Sequence, residues 1–539
     1  MPKCRLRTLS IVAMSVFDVF KRVSQAPTNP KPATGPRVFD VADLYAGPVQ
    51  AGLGGETAGI ALDEKLRQAY FWVVNHAIIS PHYDIEYNDG PAQRYAIGDG
   101  RRPLTLPSAQ SYSSFILLPL LTFVTRRKCL FVGGPGRGKT ASAILMGVLA
   151  GYPVREVRRA MQHGHPQMTI ADLLGNPLPA DLVGAQSMDD IRIAWRSWLS
   201  MRVKIVDEYN RIPTRTQSAL LTVMGDNYAE VLNHVFECPE SAWYLTANDD
   251  QGGGTYQVIE ALRDRIDVIV HALAFNPRFL DDLLLRVEEN VRPEDLVPQE
   301  IIFSEAELDR VGEEIRAVEV PDDVRRRLEF FASQFELFEM AGVQFEYMTK
   351  DTARLSGVEW AQVVAADNGR DRLKDLGCQT RNGVSVRNLM TLLIFGKALA
   401  YFRGNSAVEL EDLRQILPFV LRDKLLPDLD APFFSLPENA GYRTDRVSWL
   451  RRLFDLACDE FDRLDLDRND AVGKIAAEFA RGLDGVSESE TRARLTKIER
   501  LVGEYAKARK LYGHLFDDLQ KLKYLHQRYT NYLHWLRRQ

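Results

Sequence analysis

Gly133-Gly134-Pro135-Gly136-Arg137-Gly138-Lys139-Thr140 is the stretch that decides the fold of this chain. It satisfies the spacing GxxxxGK[ST] in full. Glycines in such a turn let backbone N–H groups curl around phosphate oxygens without a clashing Cβ, at the N-terminus of the helix that follows. Lys139 can then reach β- and γ-phosphates, and the Thr140 hydroxyl can ligate Mg²⁺. The flanks agree. Lys128–Val132 is a short apolar β-type run, and 140–150 is rich in Ala, Leu and Met, as a helix requires. Gly136, Gly138 and Ala141 also satisfy GxGxxA, with Glu156 about twenty residues on, which is the pattern of a dinucleotide fold. Lys139 and Thr140, placed directly after the last glycine, favour the triphosphate loop, so the binding set is Gly133 to Ala141 without a gap.

A second motif supports that choice. Val203-Lys204-Ile205-Val206-Asp207-Glu208 is an apolar strand ending in two carboxylates. A parallel sheet delivers the C-terminal ends of its strands to one edge, so these acids arrive beside the phosphate loop. Asp207 is the candidate for the Mg²⁺ shell, with Thr140, and Glu208 the candidate general base for an attacking water. A third run, 243–246, ends in Ala247-Asn248-Asp249, and Asn248 is placed to hold that water. A fourth, 268–272, closes the series. Strands separated by helical segments predict an α/β domain with a parallel sheet covered on both faces.

Around these motifs the chain resembles the MoxR branch of the AAA+ ATPases. Asp207-Glu208-Tyr209-Asn210-Arg211-Ile212-Pro213 and Thr216-Gln217-Ser218-Ala219-Leu220-Leu221 are similar to that family's acidic strand end, Asn-Arg pair and "TQSALL" helix. Gly254-Thr255-Tyr256, Glu260-Ala261 and Asp264-Arg265-Ile266 resemble its "GTY…EA…DRF" stretch. Gly383-Val384-Ser385-Val386-Arg387, with Glu411-Asp412-Leu413 and Val420-Leu421-Arg422, resembles the start and end of its lid. The resemblance implies a fold: a P-loop AAA+ parallel-sheet domain, then an all-helical lid, then here a C-terminal helical domain. It also implies a hexameric ring that hydrolyses ATP with Mg²⁺ between subunits, a protein client, and a partner carrying a von Willebrand factor A domain. Arg265 would be the arginine finger reaching a neighbour's γ-phosphate. Because Leu262-Arg263-Asp264-Arg265 holds two arginines around one Asp, Arg263 competes for that role. Arg387 would be the sensor 2 arginine of the lid.

At 539 residues the chain is long enough for several domains. The expected division is a flexible lead-in over 1–40, a large ATPase domain with an N-terminal extension over 41–275, a helical lid over 276–430 with an insertion at 336–380, and a helical bundle or coiled coil over 438–539. Apolar residues make up 45% and charged residues 26%, with net charge −5 and pI near 6.1. That balance gives no whole-protein attraction to nucleic acid or anionic membranes. Five scattered cysteines without CxxC spacing fit a reducing compartment. The apolar run 9–17 is too short and too closely followed by charge for a secretory signal, and nothing approaches the roughly 20 apolar residues of a membrane span. A cytoplasmic protein is expected.

In the C-terminal segment, Val447, Leu450, Phe454, Ala457, Phe461 and Leu464 recur at helical spacing, and a later seam (Leu511, Leu515, Leu522, Leu525, Tyr529, Tyr532) predicts a helical hairpin. The basic residues beyond Tyr505 are assigned to a solvated helix face in preference to a nucleic-acid site. Asp465-Leu466-Asp467 begins like a calcium loop but lacks the Gly and Glu at positions six and twelve. His163 and His165 have no third ligand and are assigned to a loop or surface. Two alternatives to a client-remodelling ATPase are a nucleotide-gated scaffold, as in a defence system, and a nucleic-acid translocase.

Overall fold

The computed structural model describes residues 61–98, 102–179, 181, 187, 190–248, 260–290, 292–360, 362, 373–507 and 510–538. The expected flexible lead-in over 1–40 and the Gly254-Thr255-Tyr256 motif lie outside them.

The four β-runs of the sequence become strands of one parallel sheet, joined by a fifth. In chain order these are β1 (Lys128–Val132), β2 (Gln162–His163), β3 (Val203–Asp207), β4 (Ala242–Ala247) and β5 (Val268–His271). Their spatial order is β5-β1-β4-β3-β2, every neighbour parallel. β1 and β4 have neighbours on both sides and apolar residues on both faces. Cys129 and Phe131 point one way and Leu130 the other, all buried. β2 escaped sequence reading because two residues carry no periodicity. It pairs Gln162 with Val206 and His163 with Asp207.

Helix Ser114–Thr125 lies against this sheet. It is apolar nearly all round, with Ile116 to Leu118 and Leu120 to Val124 buried. Such a helix is stable only when other elements cover every side, and here the sheet and helix Val386–Arg403 both do so. Helix Leu62–Trp72 from the N-terminal extension is bound by a buried pair, Lys65 Nζ to both Glu307 oxygens at 2.9 Å. In the region expected to be a helical lid, helices form at Glu305–Ala317, Asp322–Ser333, Val386–Arg403 and Leu410–Leu421. Among the described residues, the 336–380 stretch is irregular, with 3₁₀ turns at Glu339–Ala341, Phe345–Tyr347 and Leu376–Gln379 and a short helix at Lys350–Leu355. Its buried Lys350 ammonium donates to Gly377 O, Thr380 O and Thr380 Oγ1, closing the loop on its own ends.

One core runs from Leu62 to Phe461. Helix Arg446–Arg463, expected with the C-terminal bundle, puts Trp449, Leu450, Leu453 and Phe454 into it. Beyond it, the predicted hairpin forms from Glu488–Tyr505 and Gly513–Leu536, with a small core of its own around Ile498, Leu522, Leu525 and Tyr529. In the calcium-like stretch, Asp467 pairs with Arg327 and Asp470 with Arg326, while Asp465 accepts from Asn469. Among the described residues no cluster of His, Cys, Asp or Glu could hold a metal by itself, and no helix is long and apolar enough to cross a membrane.

Lys204 on β3 is 1% exposed. Its ammonium donates only to neutral oxygens, Met201 O at 2.6 Å and Ser241 Oγ at 2.5 Å. Burial pushes its pKa from the ordinary 10.5 down to about 7. Between those values the unfolded chain keeps a proton that the folded chain has released, so this residue makes stability rise with pH, by at most about 1.4 kcal/mol per unit. Lys204→Met is expected to lose that part of the slope. Urea unfolding of both proteins at pH 7, 8 and 9 checks it, and parallel slopes would refute it.

Candidate functional site

The phosphate loop leaves β1 at Val132 and enters helix Lys139–Leu149. Gly133, Gly136 and Gly138 all have positive φ. At Gly133 a Cβ would lie 2.7 Å from Ala272 O, so the loop can pass the end of β5 only as glycine. Arg137 Nη1 bonds Ala272 O at 2.9 Å and pins the exposed tip that carries Pro135 and Gly136. Lys139, 7% exposed, turns its ammonium onto Gly133 O (2.6 Å), Gly134 O (2.8 Å) and Asn248 Oδ1 (2.9 Å).

From that lysine a chain of hydrogen bonds crosses the strand ends. Asn248 Nδ2 donates to Glu208 Oε1 at 2.9 Å, and Arg211 Nη1 donates to Glu208 Oε2 at 2.8 Å. Glu208 itself sits in the left-handed region, φ 53°, one residue past β3. Its N–H is held by Thr246 Oγ1 (2.9 Å), and its carbonyl abuts Gly164, where a Cβ would come within 2.3 Å. A second chain runs beneath. Thr140 Oγ1 and Thr246 Oγ1 both donate to Asp207 Oδ1, at 2.9 and 2.7 Å. His163 Nδ1 stands 3.5 Å from Asp207 Oδ2. That histidine, assigned to a loop or the surface, is exposed, and it stands at the end of β2, brought to the site by pairing with β3.

The phosphate-loop residues, Asp207, Glu208 and Asn248 thus meet at the C-terminal edge of the sheet. Thr246, Arg211 and His163 had no assigned role in the sequence. Thr246 was legible in principle, since a polar residue at a buried strand end beside an Asn stands out. The others depend on pairings that no local pattern reports. A cavity of about 490 Å³ adjoins the loop at Gly136, Gly138 and Ala141. Ile78, Phe115, Leu145 and Leu273 make it apolar, and the half-buried Asp84 stands at its wall beside Ser114. Nothing in the sequence marked this cavity, because it joins the N-terminal extension to residues that follow β5.

Arg263, Asp264, Arg265 and Arg387 are elsewhere. Asp267 N bonds Lys128 O, which places the Glu260–Arg265 helix at the N-terminal end of β1 and β5. At about 3.3 Å per residue, the length of β1 puts roughly 13 Å between that end and the phosphate loop. Arg387 Nη1 pairs with Asp264 Oδ2 at 2.5 Å there, so the lid arginine does not reach this chain's own phosphate loop. Arg265 lies against Gly225 and bonds Ala261 O at 3.2 Å, its Nε buried without a partner among the described residues, while Arg263 is exposed.

The sheet order, the phosphate loop and the carboxylate-ended strand together define an ATPase domain of the AAA class. Residues 128–268 match the family described as "ATPase family associated with various cellular activities (AAA)". Beyond that matched stretch, the chain has a MoxR-type relative. The chain is similar to Chaperone MoxR1 of Mycobacterium tuberculosis, 23% identical over 260 residues, which are 47% of this chain and 59% of the relative. The match therefore spans less than two thirds of that relative's length. A crystal structure of a Cytophaga hutchinsonii protein, provisionally named an ATPase, aligns with 15% identity over 73% of this chain and 94% of its own, TM-score 0.46.

Thr246→Val keeps the shape of the strand end but removes the acceptor for Glu208 N–H and one donor to Asp207. A loss of about 1–3 kcal/mol is expected for polar groups left unsatisfied there. A drop in the urea midpoint measures it, and an unchanged midpoint would show that the hydroxyl does not hold the strand end.

Proposed function

We propose that this chain binds ATP with Mg²⁺ and hydrolyses it in an assembly with copies of itself. The observation that carries this is Glu208, held by Asn248 and Arg211 within one hydrogen-bonded chain from the phosphate-loop lysine. A scaffold that only binds nucleotide has no use for a carboxylate so placed. ATP is the substrate. Lys139 exchanges its loop carbonyls for β- and γ-phosphate oxygens, and the backbone N–H groups of 134–140 cradle the phosphates. Asn248 positions a water, and Glu208 takes its proton as the water attacks the γ-phosphorus, with ADP leaving. The Thr140 hydroxyl and Asp207 carboxylate, 2.9 Å apart, are the hard oxygen donors Mg²⁺ prefers. The ion, when bound by them, neutralises charge on the phosphates. The apolar cavity beside the loop takes the base.

Arg263, Arg265 and Arg387 lie at the far end of the sheet, so they serve a neighbour's nucleotide. That requires assembly, and by resemblance to MoxR-type proteins the assembly is a hexameric ring. The same resemblance, with a relative named as a chaperone, supports a protein client that is remodelled or activated, and a partner with a von Willebrand factor A domain.

Glu208→Gln is expected to keep ATP affinity while turnover falls 100-fold or more, the range for loss of a general base. Lys139→Ala should lose binding itself. Unchanged turnover in Glu208→Gln would remove the base from this residue. Arg387→Ala tests the second half. At concentrations where the chain is monomeric, its affinity for a non-hydrolysable ATP analogue should stay within about twofold of the parent, well under the tenfold that 1.4 kcal/mol would give, while turnover of the assembled protein falls. A loss of affinity in the monomer would overturn action on a neighbour.

A further inference from the structure

A second cavity, of about 870 Å³, opens beside Arg263 and Asp264. It shares no lining residue with the cavity at the phosphate loop. Leu130 of β1, Ile269 of β5 and Ile266 give it an apolar floor, each 5% exposed or less. The 336–380 stretch and the start of helix Val386–Arg403 supply its walls, with Trp360 on one and Asn388 on the other. The Trp360 indole is fixed there, its Nε1 donating to Asp428 Oδ2 at 3.1 Å. An enclosed space of this size, apolar at the base and polar at the sides, has the form of a small-molecule pocket.

Most charged groups around it are engaged elsewhere. Arg354 holds Asp351 at 2.8 Å, Asp264 takes Arg387, and Asp423 faces Arg446 at 3.4 Å. Arg381 lies 3.5 Å from Asp428. The Lys350 ammonium is bonded to Gly377 O and Thr380, and Glu336 Oε1 accepts from Asp351 N. Four groups lining the cavity remain. Lys424 Nζ has three N–H donors and a single acceptor, Asp267 O, at 3.4 Å. Asn388 is 3% exposed, and its Oδ1 is buried without a partner among the described residues. The Tyr209 hydroxyl and the Arg263 guanidinium make no hydrogen bond among the described residues either. Buried polar groups are ordinarily bonded. These four call for one bound species that offers acceptors to Lys424, Arg263 and Tyr209 and a donor to Asn388.

Two cations and a phenol are the donors a phosphate group takes. A bare phosphate dianion has no donor for Asn388 Oδ1, whereas a sugar hydroxyl or a ring amino group has. The apolar floor and the Trp360 indole suit a flat ring attached to that phosphate. We propose that this cavity is a second ligand site, separate from the phosphate loop, for a small phosphomonoester with an aromatic body. Lys424 holds the phosphate, and the body lies over the apolar floor between Asn388 and Trp360. Arg263 gives the site a consequence for turnover. It is one of the arginines assigned to a neighbour's nucleotide, and a phosphate on Lys424 draws it into the cavity instead. Occupancy therefore lowers turnover of the assembled protein. That effect, unlike the binding, rests on the proposed function.

Calorimetry on the full chain carrying Lys139→Ala takes the phosphate loop out of play, with AMP, adenosine and inorganic phosphate as probes. AMP should bind saturably, and the other two should bind at least about tenfold more weakly, since each lacks one half of the ligand. Adding Lys424→Met should weaken AMP about tenfold or more, the range for loss of a hydrogen bond to a charged group, and Lys424→Arg should restore it. Asn388→Leu should weaken AMP and leave inorganic phosphate unchanged. If Lys424→Met does not fold, as its urea midpoint reports, Asn388→Leu decides alone. AMP affinity untouched by these substitutions, or no saturable AMP binding at millimolar concentration, overturns the proposal. Inorganic phosphate binding as tightly as AMP overturns the aromatic body. AMP binding that disappears with Lys139→Ala and ignores Lys424→Met belongs to the phosphate loop, so the second site falls while the hydrolysis reading stands. Calorimetry requires no turnover, so failure of the Glu208 assignment leaves this measurement unaffected.

Discussion

The arrangement of the whole protein depends on where one buried carboxylate sends its two oxygens. Asp267, 3% exposed, accepts from Lys128 N at 2.9 Å and from Thr391 Oγ1 at 2.8 Å. The first bond ties the approach to β5 to the start of β1. The second fastens helix Val386–Arg403 to the same place. A buried carboxylate is tolerable only when its lone pairs are satisfied, so the pair of bonds fixes the helix at the N-terminal edge of the sheet. Every consequence for the site follows from that edge. The phosphate loop and its carboxylates occupy one end of the strands, and the arginines that could act on a phosphate occupy the other.

This geometry keeps the phosphate loop and the candidate arginines apart within one chain. The C-terminal edge has what binding and water activation require, namely a lysine, a hydroxyl, two carboxylates and an amide in bonding sequence. Arg137 and Arg211 stand at this edge, bonded to Ala272 O and to Glu208, while Arg263, Arg265 and Arg387 lie at the opposite edge, with Arg387 paired to Asp264. Separation by the length of a strand is too great for side-chain motion to bridge. Under the proposed function, those arginines act at the nucleotide of a neighbouring copy.

Much of this was legible in the sequence. The glycine loop, the strand ending at Asp207 and the run ending at Asn248 each carry their own local signal, because glycine spacing and an apolar run before a carboxylate are short-range facts. The helices from Glu305 to Leu421 were legible from periodicity for the same reason. What the sequence did not reveal is made by pairing at a distance. His163 reaches the site only because two residues join β3, and the cavity exists only because the N-terminal extension packs near residues after β5. The placement of Arg387 is the sharpest case: its motif marks a lid arginine, but which end of the sheet the lid occupies is set by Thr391 and Asp267, far apart in the chain. Periodicity also misleads at Leu280–Glu289, where an amphipathic stripe that reads as core faces solvent.

Glu208 has a backbone that favours another residue. A non-glycine side chain at φ 53° costs on the order of 1 kcal/mol, and the strain persists because Thr246 and Gly164 leave the backbone no alternative. Glycine at that position would relieve the strain and remove the carboxylate in one step. Folding and chemistry therefore pull this codon in opposite directions. Loss of the proposed base would therefore come with relief of strain at this position, whereas Lys139 is held by its own loop carbonyls.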